Sequence, residues 1–345
     1  MAKWITVVTA IVLSLVLSVS AFAAPGQSSK GNAPAEGKIQ MQGDIGDFVP
    51  DEVDDPAHDP AIIRDGNQYI VFSTGILRDT EDPGGIYIRT ADKSMANPWE
   101  SVGEIPAPEW VKEYNPEHLW APQVVKAQGT FYLYYAVSAF GTNNSAIGVA
   151  SSKTPADPDS WEDHGPVITS SSGEVDYNAI DPHVFKDNGQ WWITFGSHFS
   201  GIKLQQLSSM TEAEGEVHTL ANRPGVEHNP IEAPTIYEKN GYYYLFTSWD
   251  QCCQFLDSTY KIAVGRADNV EGPYYDQDGV PLAEGGGTIL LESEGNQVGP
   301  GGQDVFFDKG RDYLIHHYYD GDADGVIRMQ IRQLVWENDW PQLTE

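Results

Sequence analysis

Along most of the chain, apolar and polar residues alternate with the period of two that a half-buried strand requires, and the alternation comes in packets. "DPAIIRDGNQYIVFSTG" from Asp59 is followed by "APQVVKAQGTFYLYYAVS" from Ala121 and "DPHVFKDNGQWWITFGSH" from Asp181; then come "APTIYEKNGYYYLFTSW" from Ala233 and "GQDVFFDKGRDYLIHHYYD" from Gly302. Each packet is a short apolar strand, a charged turn holding Gly or Asn, and an aromatic strand, which is a hairpin signature. A third alternating run follows most of them: "GIYIRTA", "SAIGVASS", "GIKLQQLS", "YKIAVGRA" and "VIRMQIRQL". Between packets, loops rich in Pro, Trp and acidic residues, such as "MANPWESVGEIP", "PADPDSWEDHGP" and "NVEGPYYDQDG", leave room for a fourth, outer strand. No convincing amphipathic helix interrupts the series. Hairpins recurring about every 50 to 70 residues suit four-stranded sheets repeated around an axis. The expectation is an all-β, five-bladed β-propeller of four-stranded antiparallel blades.

In such a ring the innermost strand of every blade begins near a common axis, so residues far apart in the chain meet there. The pairs at those starts are His58-Asp59, Trp120-Ala121, Ile180-Asp181, Glu232-Ala233 and Gly302-Gln303. Asp59, Asp181 and Glu232 put a carboxyl into three of the five. One Asp-Pro step is explained locally, by an Asp capping a turn ahead of a Pro at a strand's first residue. Two at equivalent repeat positions, with Glu-Ala-Pro at a third, point to a shared site. Two carboxyls flanking a sugar linkage are the usual machinery of glycoside hydrolysis, one protonating the leaving oxygen while the other activates water or attacks. A third carboxyl nearby keeps the acid protonated through like-charge repulsion.

Charge narrows the ligand. Fifty acidic residues against 20 basic give a formal charge of -30, which repels nucleic acid and anionic lipid and leaves a neutral polymer as a compatible partner. The N-terminus, "MAKWITVVTAIVLSLVLSVSAFAAPGQSSKG", reads as a secretory signal peptide over residues 1–23, cleaved after Ala21-Phe22-Ala23. A Gly-, Ser- and Pro-rich leader over 24–51 then precedes a catalytic propeller over 52–345. The expected mature protein is secreted, free of membrane after cleavage, and monomeric. The two cysteines are adjacent in "SWDQCCQF", so they form either a vicinal disulfide or two buried thiols, and no Cys-type zinc site.

Taken in order, "HDPAI", "LWAPQVV", "SAFGTNNSAIGVA", "NAIDPHVF", "FGSHFSGIKL", "IEAPTIY", "SWDQCCQFLDSTYKIAVGR" and "HHYYDG" resemble the secreted α-L-arabinanases of glycoside hydrolase family 43. The likeness runs from about Val53 onward. It implies inverting hydrolysis of α-1,5-L-arabinofuranosidic bonds in arabinan or arabino-oligosaccharides, cutting within the chain. Asp59 would be general base, Glu232 general acid, and Asp181 the residue that raises the acid's pKa. The resemblance further implies a sugar site built from His58, Trp120, Phe140, Gly141, Asn178 and Ser197, and a calcium ion near the axis held by His317. An exo-acting arabinofuranosidase, a β-xylosidase of the same family and a non-catalytic carbohydrate-binding propeller are the competing readings.

"DGDADG" at 320–325 mimics the start of an EF-hand loop, but its twelfth position falls on Ile331, where a bidentate Glu is needed. A hairpin turn explains it better. His316, by alternation, faces away from the side His317 takes.

Overall fold

A computed structural model describes residues 57–344. The signal peptide and leader expected over 1–51 lie outside the described residues. Among the described residues, 20 strands form five four-stranded antiparallel sheets, each built from consecutive strands. Blade one comprises Ala61–Asp65, Gln68–Ser73, Ile86–Asp92 and Glu100–Ile105. Blade two runs through Trp120–Ala127, Thr130–Ser138, Ser145–Ser152 and Glu162–Ser170. Blade three holds His183–Asp187, Gln190–Phe195, Ile202–Ser209 and Glu212–Ala221. Blade four has Ile231–Lys239, Tyr242–Trp249, Lys261–Ala267 and Thr288–Leu291. Blade five closes the series with Gln297–Asp308, Arg311–Asp320, Val326–Glu337 and Trp340–Leu343.

The turns are those the packets specify: Asp65↔Gln68 and Asp187↔Gln190 close two-residue hairpins around Gly66-Asn67 and Asn188-Gly189. One outer strand falls elsewhere than the sequence pattern indicates. "NVEGPYYDQDG" is a loop, and the fourth strand of blade four is Thr288–Leu291, beyond a cis Gly272-Pro273 bond.

The apolar faces of the blades pack against one another in a closed circuit. Phe72 and Ile88 meet Leu133 and Val137 between blades one and two. Val149 meets Val184 and Phe195 between two and three, and Leu204 meets Ile236 and Leu245 between three and four. Phe246 and Val264 pack on Leu314 between four and five, and Tyr313, Ile315 and Met329 of blade five return to Ile62, Tyr69 and Val71 of blade one. Among the described residues no strand is shared between the first and last blades, so apolar burial closes the ring, helped by Tyr69 and Arg64, which both hydrogen-bond Asp308.

Candidate active site

At the end of each blade where the inner strand begins, the backbone takes a left-handed conformation: φ is 48° at Asp59, 38° at Ala121, 57° at Asp181, 49° at Ala233 and 57° at Gly302. Non-glycine residues rarely adopt it, at about 1–3 kcal/mol each, and it persists where surroundings over-determine it. Here the neighbouring blade does so. Ala121 N–H donates to Thr74 Oγ1 at 2.8 Å, Ala233 N–H to Asp181 Oδ2 at 3.0 Å, Gly302 N–H to Ser248 Oγ at 3.0 Å and Asp59 N–H to His317 Nδ1 at 3.1 Å. Each of these bonds runs from one blade to the preceding one, and the last closes blade one onto blade five. The pattern also corrects the last repeat: its equivalent pair is Gly301-Gly302, one residue earlier than the strand pattern places it.

One layer further along the axis the stitching recurs. Gln123 Oε1 accepts from Val184 N–H at 3.1 Å, His183 Nδ1 from Ile236 N–H at 3.4 Å, and Asp304 Oδ2 from Ile62 N–H at 3.2 Å. Catalytic geometry therefore rests on a polar collar inside the apolar circuit.

Asp59 is held as a carboxylate. Its Oδ2 lies 2.7 Å from His58 Nδ1 and accepts from Thr74 Oγ1 at 2.7 Å, while its Oδ1 lies 3.5 Å from His317 Nδ1. Burial pushes its pKa up, but His58, by charge and hydrogen bond, with His317 and Thr74, outweighs burial and holds it at about 2. Gly302 makes this possible: a Cβ there would stand 2.3 Å from Asp59 Oδ1. His58 is itself raised, because the Asp59 and Glu232 carboxylates overcome the burial that lowers it.

Asp181 and Glu232 form the opposite environment. Burial first, then the Glu232 and Asp59 charges, raise Asp181 well above the usual carboxylate range against the pull of Ala233 N–H. Asp181 thus holds its proton to higher pH than Asp59 does. Glu232 Oε2 accepts from Ser197 Oγ at 2.6 Å and Oε1 from Tyr260 at 2.7 Å, with His198 Nε2 3.8 Å away. Tyr260 is fully buried beside three carboxyls, which keeps its hydroxyl neutral. Each hydroxyl can turn to accept a hydrogen bond as well as donate one.

The other expected residues fall as follows. Trp120 opens the inner strand of blade two, with its ring 5.8 Å from that of His118 and its Nε1 buried without a partner. Phe140, 84% exposed, and Gly141 lie on the loop between the second and third strands of the same blade. Asn178 is buried, with Oδ1 accepting from Ser145 Oγ at 2.7 Å. Ser197 spends its hydroxyl on Glu232. His317 is wholly buried, stacked at 3.9 Å on His58, with Nε2 unpartnered. Thr74, Tyr260 and Tyr319, whose hydroxyl lies 3.2 Å from His58 Nε2, are the site residues the sequence pattern does not single out.

The sequence profile of glycosyl hydrolases family 43 matches residues 53–341. The chain is a member of glycosyl hydrolase family 43. Among family relatives, it is 40% identical over 289 residues to an extracellular endo-α-(1→5)-L-arabinanase of Bacillus subtilis, covering 82% of this chain and 86% of that protein. It is 38% identical over 309 residues to an extracellular exo-α-(1→5)-L-arabinofuranosidase of Cellvibrio japonicus, covering 84% and 86%. The structure of a Cellvibrio cellulosa α-L-arabinanase complexed with arabinohexaose superposes with a TM-score of 0.76 at 39% identity, over 84% of this chain and 95% of that one. The family's hydrolytic chemistry needs one ionised carboxyl and one that keeps its proton, and the axis of this propeller supplies both.

Proposed function

We propose that this glycoside hydrolase cleaves α-1,5-L-arabinofuranosidic bonds within arabinan by inversion. Asp59 takes the proton of a water as that water attacks the anomeric carbon, and Glu232 delivers a proton to the departing glycosidic oxygen. Asp181 keeps that proton available. The observation that carries this reading is the opposed protonation of carboxyls gathered on one axis. Trp120, with an indole N–H in want of an acceptor, His58, Phe140, Gly141 and Asn178 would line the sugar site, while Ser197 acts there through Glu232.

Internal cutting draws support from the mouth of the site. Leu77, Phe140, Phe199 and Phe255 are 62%, 84%, 45% and 63% exposed, one on each of the loops between second and third strands of four blades. Antiparallel pairing puts those loops at the end where the inner strands start. Apolar platforms on four sides suit a chain longer than one sugar. The relatives' extracellular location supports secretion.

The unpartnered Nε2 of His317 fits an axial calcium for which the protein supplies one ligand and water most of the rest. Ligating there requires the ring proton on Nδ1, at the cost of the Asp59 N–H bond. Bound calcium would supply positive charge that favours ionised Asp59.

Products from linear, debranched arabinan test the reading. Mixed oligomers early in digestion are expected, whereas arabinose or one small oligomer throughout overturns internal cutting. Glu232→Gln is expected to lower kcat by about 10²- to 10⁴-fold, and retained turnover removes Glu232 as the acid. EDTA should reduce activity, with recovery on added calcium; an indifferent enzyme ends the calcium proposal.

A further inference from the structure

Beside the base stands a pair of side chains that the reaction does not consume. Cys252 and Cys253 are joined by a disulfide, in the segment between the second and third strands of blade four, and they reach across to blades one and five. Cys252 Sγ lies 3.6 Å from His58 Nε2 and 3.8 Å from the Tyr319 hydroxyl, and Cys253 Sγ lies 3.8 Å from the same His58 nitrogen. Cys253 N–H donates to the Tyr319 hydroxyl at 2.9 Å. That hydroxyl is 3.2 Å from His58 Nε2, and His58 Nδ1 is 2.7 Å from Asp59 Oδ2. Contacts thus lead from the disulfide to the base by two routes, directly onto His58 and by way of Tyr319.

The segment is anchored at its foot and exposed at its tip. Asp250 pairs with Arg223 and, at 2.8 Å, with Lys261, and Thr259 N–H donates to Gln251 O at 3.0 Å. Phe255 and Leu256 at the tip are largely exposed. Cys253 holds φ at 64°, a conformation L residues seldom adopt, and this aims its N–H at Tyr319. A covalent link between adjacent side chains restricts the peptide between them more than surface packing of the tip does.

We propose that the Cys252–Cys253 disulfide is a positioning element for the base: it fixes the Cys253 N–H on Tyr319, Tyr319 on His58 and His58 on Asp59, so that opening it slows turnover. The opening is a two-electron exchange. A dithiol reductant gives up two hydrogens and closes to its own disulfide, the Cys252–Cys253 S–S bond breaks, and two S–H bonds form.

The inference rests on the proposed role of Asp59, and the test separates the two. The intact enzyme is reduced with excess dithiothreitol, thiols are counted by mass after rapid alkylation of an aliquot, and kcat and KM on debranched arabinan are measured beside the untreated enzyme. Reduction should lower kcat about three- to tenfold, the loss of one hydrogen bond's worth of positioning, with KM changed less than about twofold. In Tyr319→Phe, which lacks the relaying hydroxyl, reduction should add almost nothing to the existing loss. Cys252→Ser/Cys253→Ser should match the reduced enzyme and ignore dithiothreitol. Unchanged kcat with two thiols counted overturns the proposal, as does an effect confined to KM or one fully retained in Tyr319→Phe. Should the oxidised enzyme fail to cut arabinan at all, the functional reading falls instead. The His58 ring signal in the NMR spectrum still decides the positioning claim, since reduction should move it further in the wild type than in Tyr319→Phe, and equal movement in both removes the relay.

Discussion

Asp59 and Asp181 occupy the same place in two blades. Both precede Pro, both are left-handed, and both start an inner strand. Their chemistry is nevertheless opposite, and the difference lies in the groups that each carboxyl's own blade and its neighbour bring. Blade five sends His317 to Asp59, and His58 and Thr74 come from its own blade, so the carboxyl is held at about 2. Blade four sends Glu232 to Asp181, so burial and like charge raise it. A repeat protein thus differentiates identical positions through the side chains beside them in the repeat and the contacts between repeats, while the position itself stays fixed by the backbone collar.

Neutralising each member of the pair gives the largest effects and separates them by sign. Asp59→Asn and Asp181→Asn should each lower kcat/KM on arabinan by about 10²- to 10⁴-fold. Their stabilities should move in opposite directions. Asp59 has a folded pKa below its unfolded value of about 3.9, so it stabilises the fold above that value, and this contribution is lost as pH falls toward about 2. Asp181 has a folded pKa above its unfolded value, so it costs stability increasingly as pH rises past that value toward the folded one. Calorimetry at pH 7 should therefore find the Asp59→Asn melting temperature lowered and the Asp181→Asn melting temperature raised, with both differences shrinking toward pH 3. Shifts of the same sign for both would break the comparison.

A smaller effect comes from crowding one side only. Gly302→Ala would place a Cβ 2.3 Å from Asp59 Oδ1 and 2.7 Å from His317 Nδ1, at a φ of 57° that alanine tolerates poorly. A displacement of about 1 Å at a reacting group can cost about 10²-fold, and that loss is expected in kcat. Asp181 and Glu232 are not touched, so the alkaline limb of the pH–rate profile should stay in place while the acidic limb moves. Movement of the alkaline limb would mean that the two sides are not independent.

The hairpin packets made the blades legible because each strand carries its own alternation and each turn its own Gly or Asn. Asp59 and Asp181 were legible because they recur at one phase of the repeat, and Glu232 because it stands one residue before that phase in a third. Their partners were not. Thr74 and Tyr319 lie at the ends of second strands, and Tyr260 just before a third, where composition says only that an aromatic or a hydroxyl is present. Their roles come from contacts between blades, as when Tyr319, 261 positions from His58, meets it across the ring. The left-handed backbone at Asp59, Ala121, Asp181 and Ala233 has no local signal either, since a residue before Pro is ordinarily pushed toward extended geometry. The collar overrides that preference. The shift of the last packet to Gly301-Gly302 escaped for a related reason: a repeat without Pro offers no landmark for its phase.

At Thr74 the axial carboxyls and the backbone collar meet, because one hydroxyl serves both. It donates to Asp59 Oδ2 and accepts from Ala121 N–H, tying the base to the collar of the next blade. Thr74→Val keeps the shape and deletes both bonds. The Ala121 N–H is then left without its acceptor, a loss of about 1–3 kcal/mol in stability where water cannot replace it. Asp59 loses one of the interactions that depress its pKa, so its folded pKa rises and the acidic limb of the kcat/KM profile moves to higher pH. Because His58 and His317 still face the carboxylate, turnover at neutral pH should fall only about two- to tenfold. Thr74→Ser, which restores the oxygen, should recover both the limb and most of the stability. If the valine variant instead lost stability with its pH profile unmoved, Thr74 would belong to the collar alone, and the base would owe its low pKa to the two histidines.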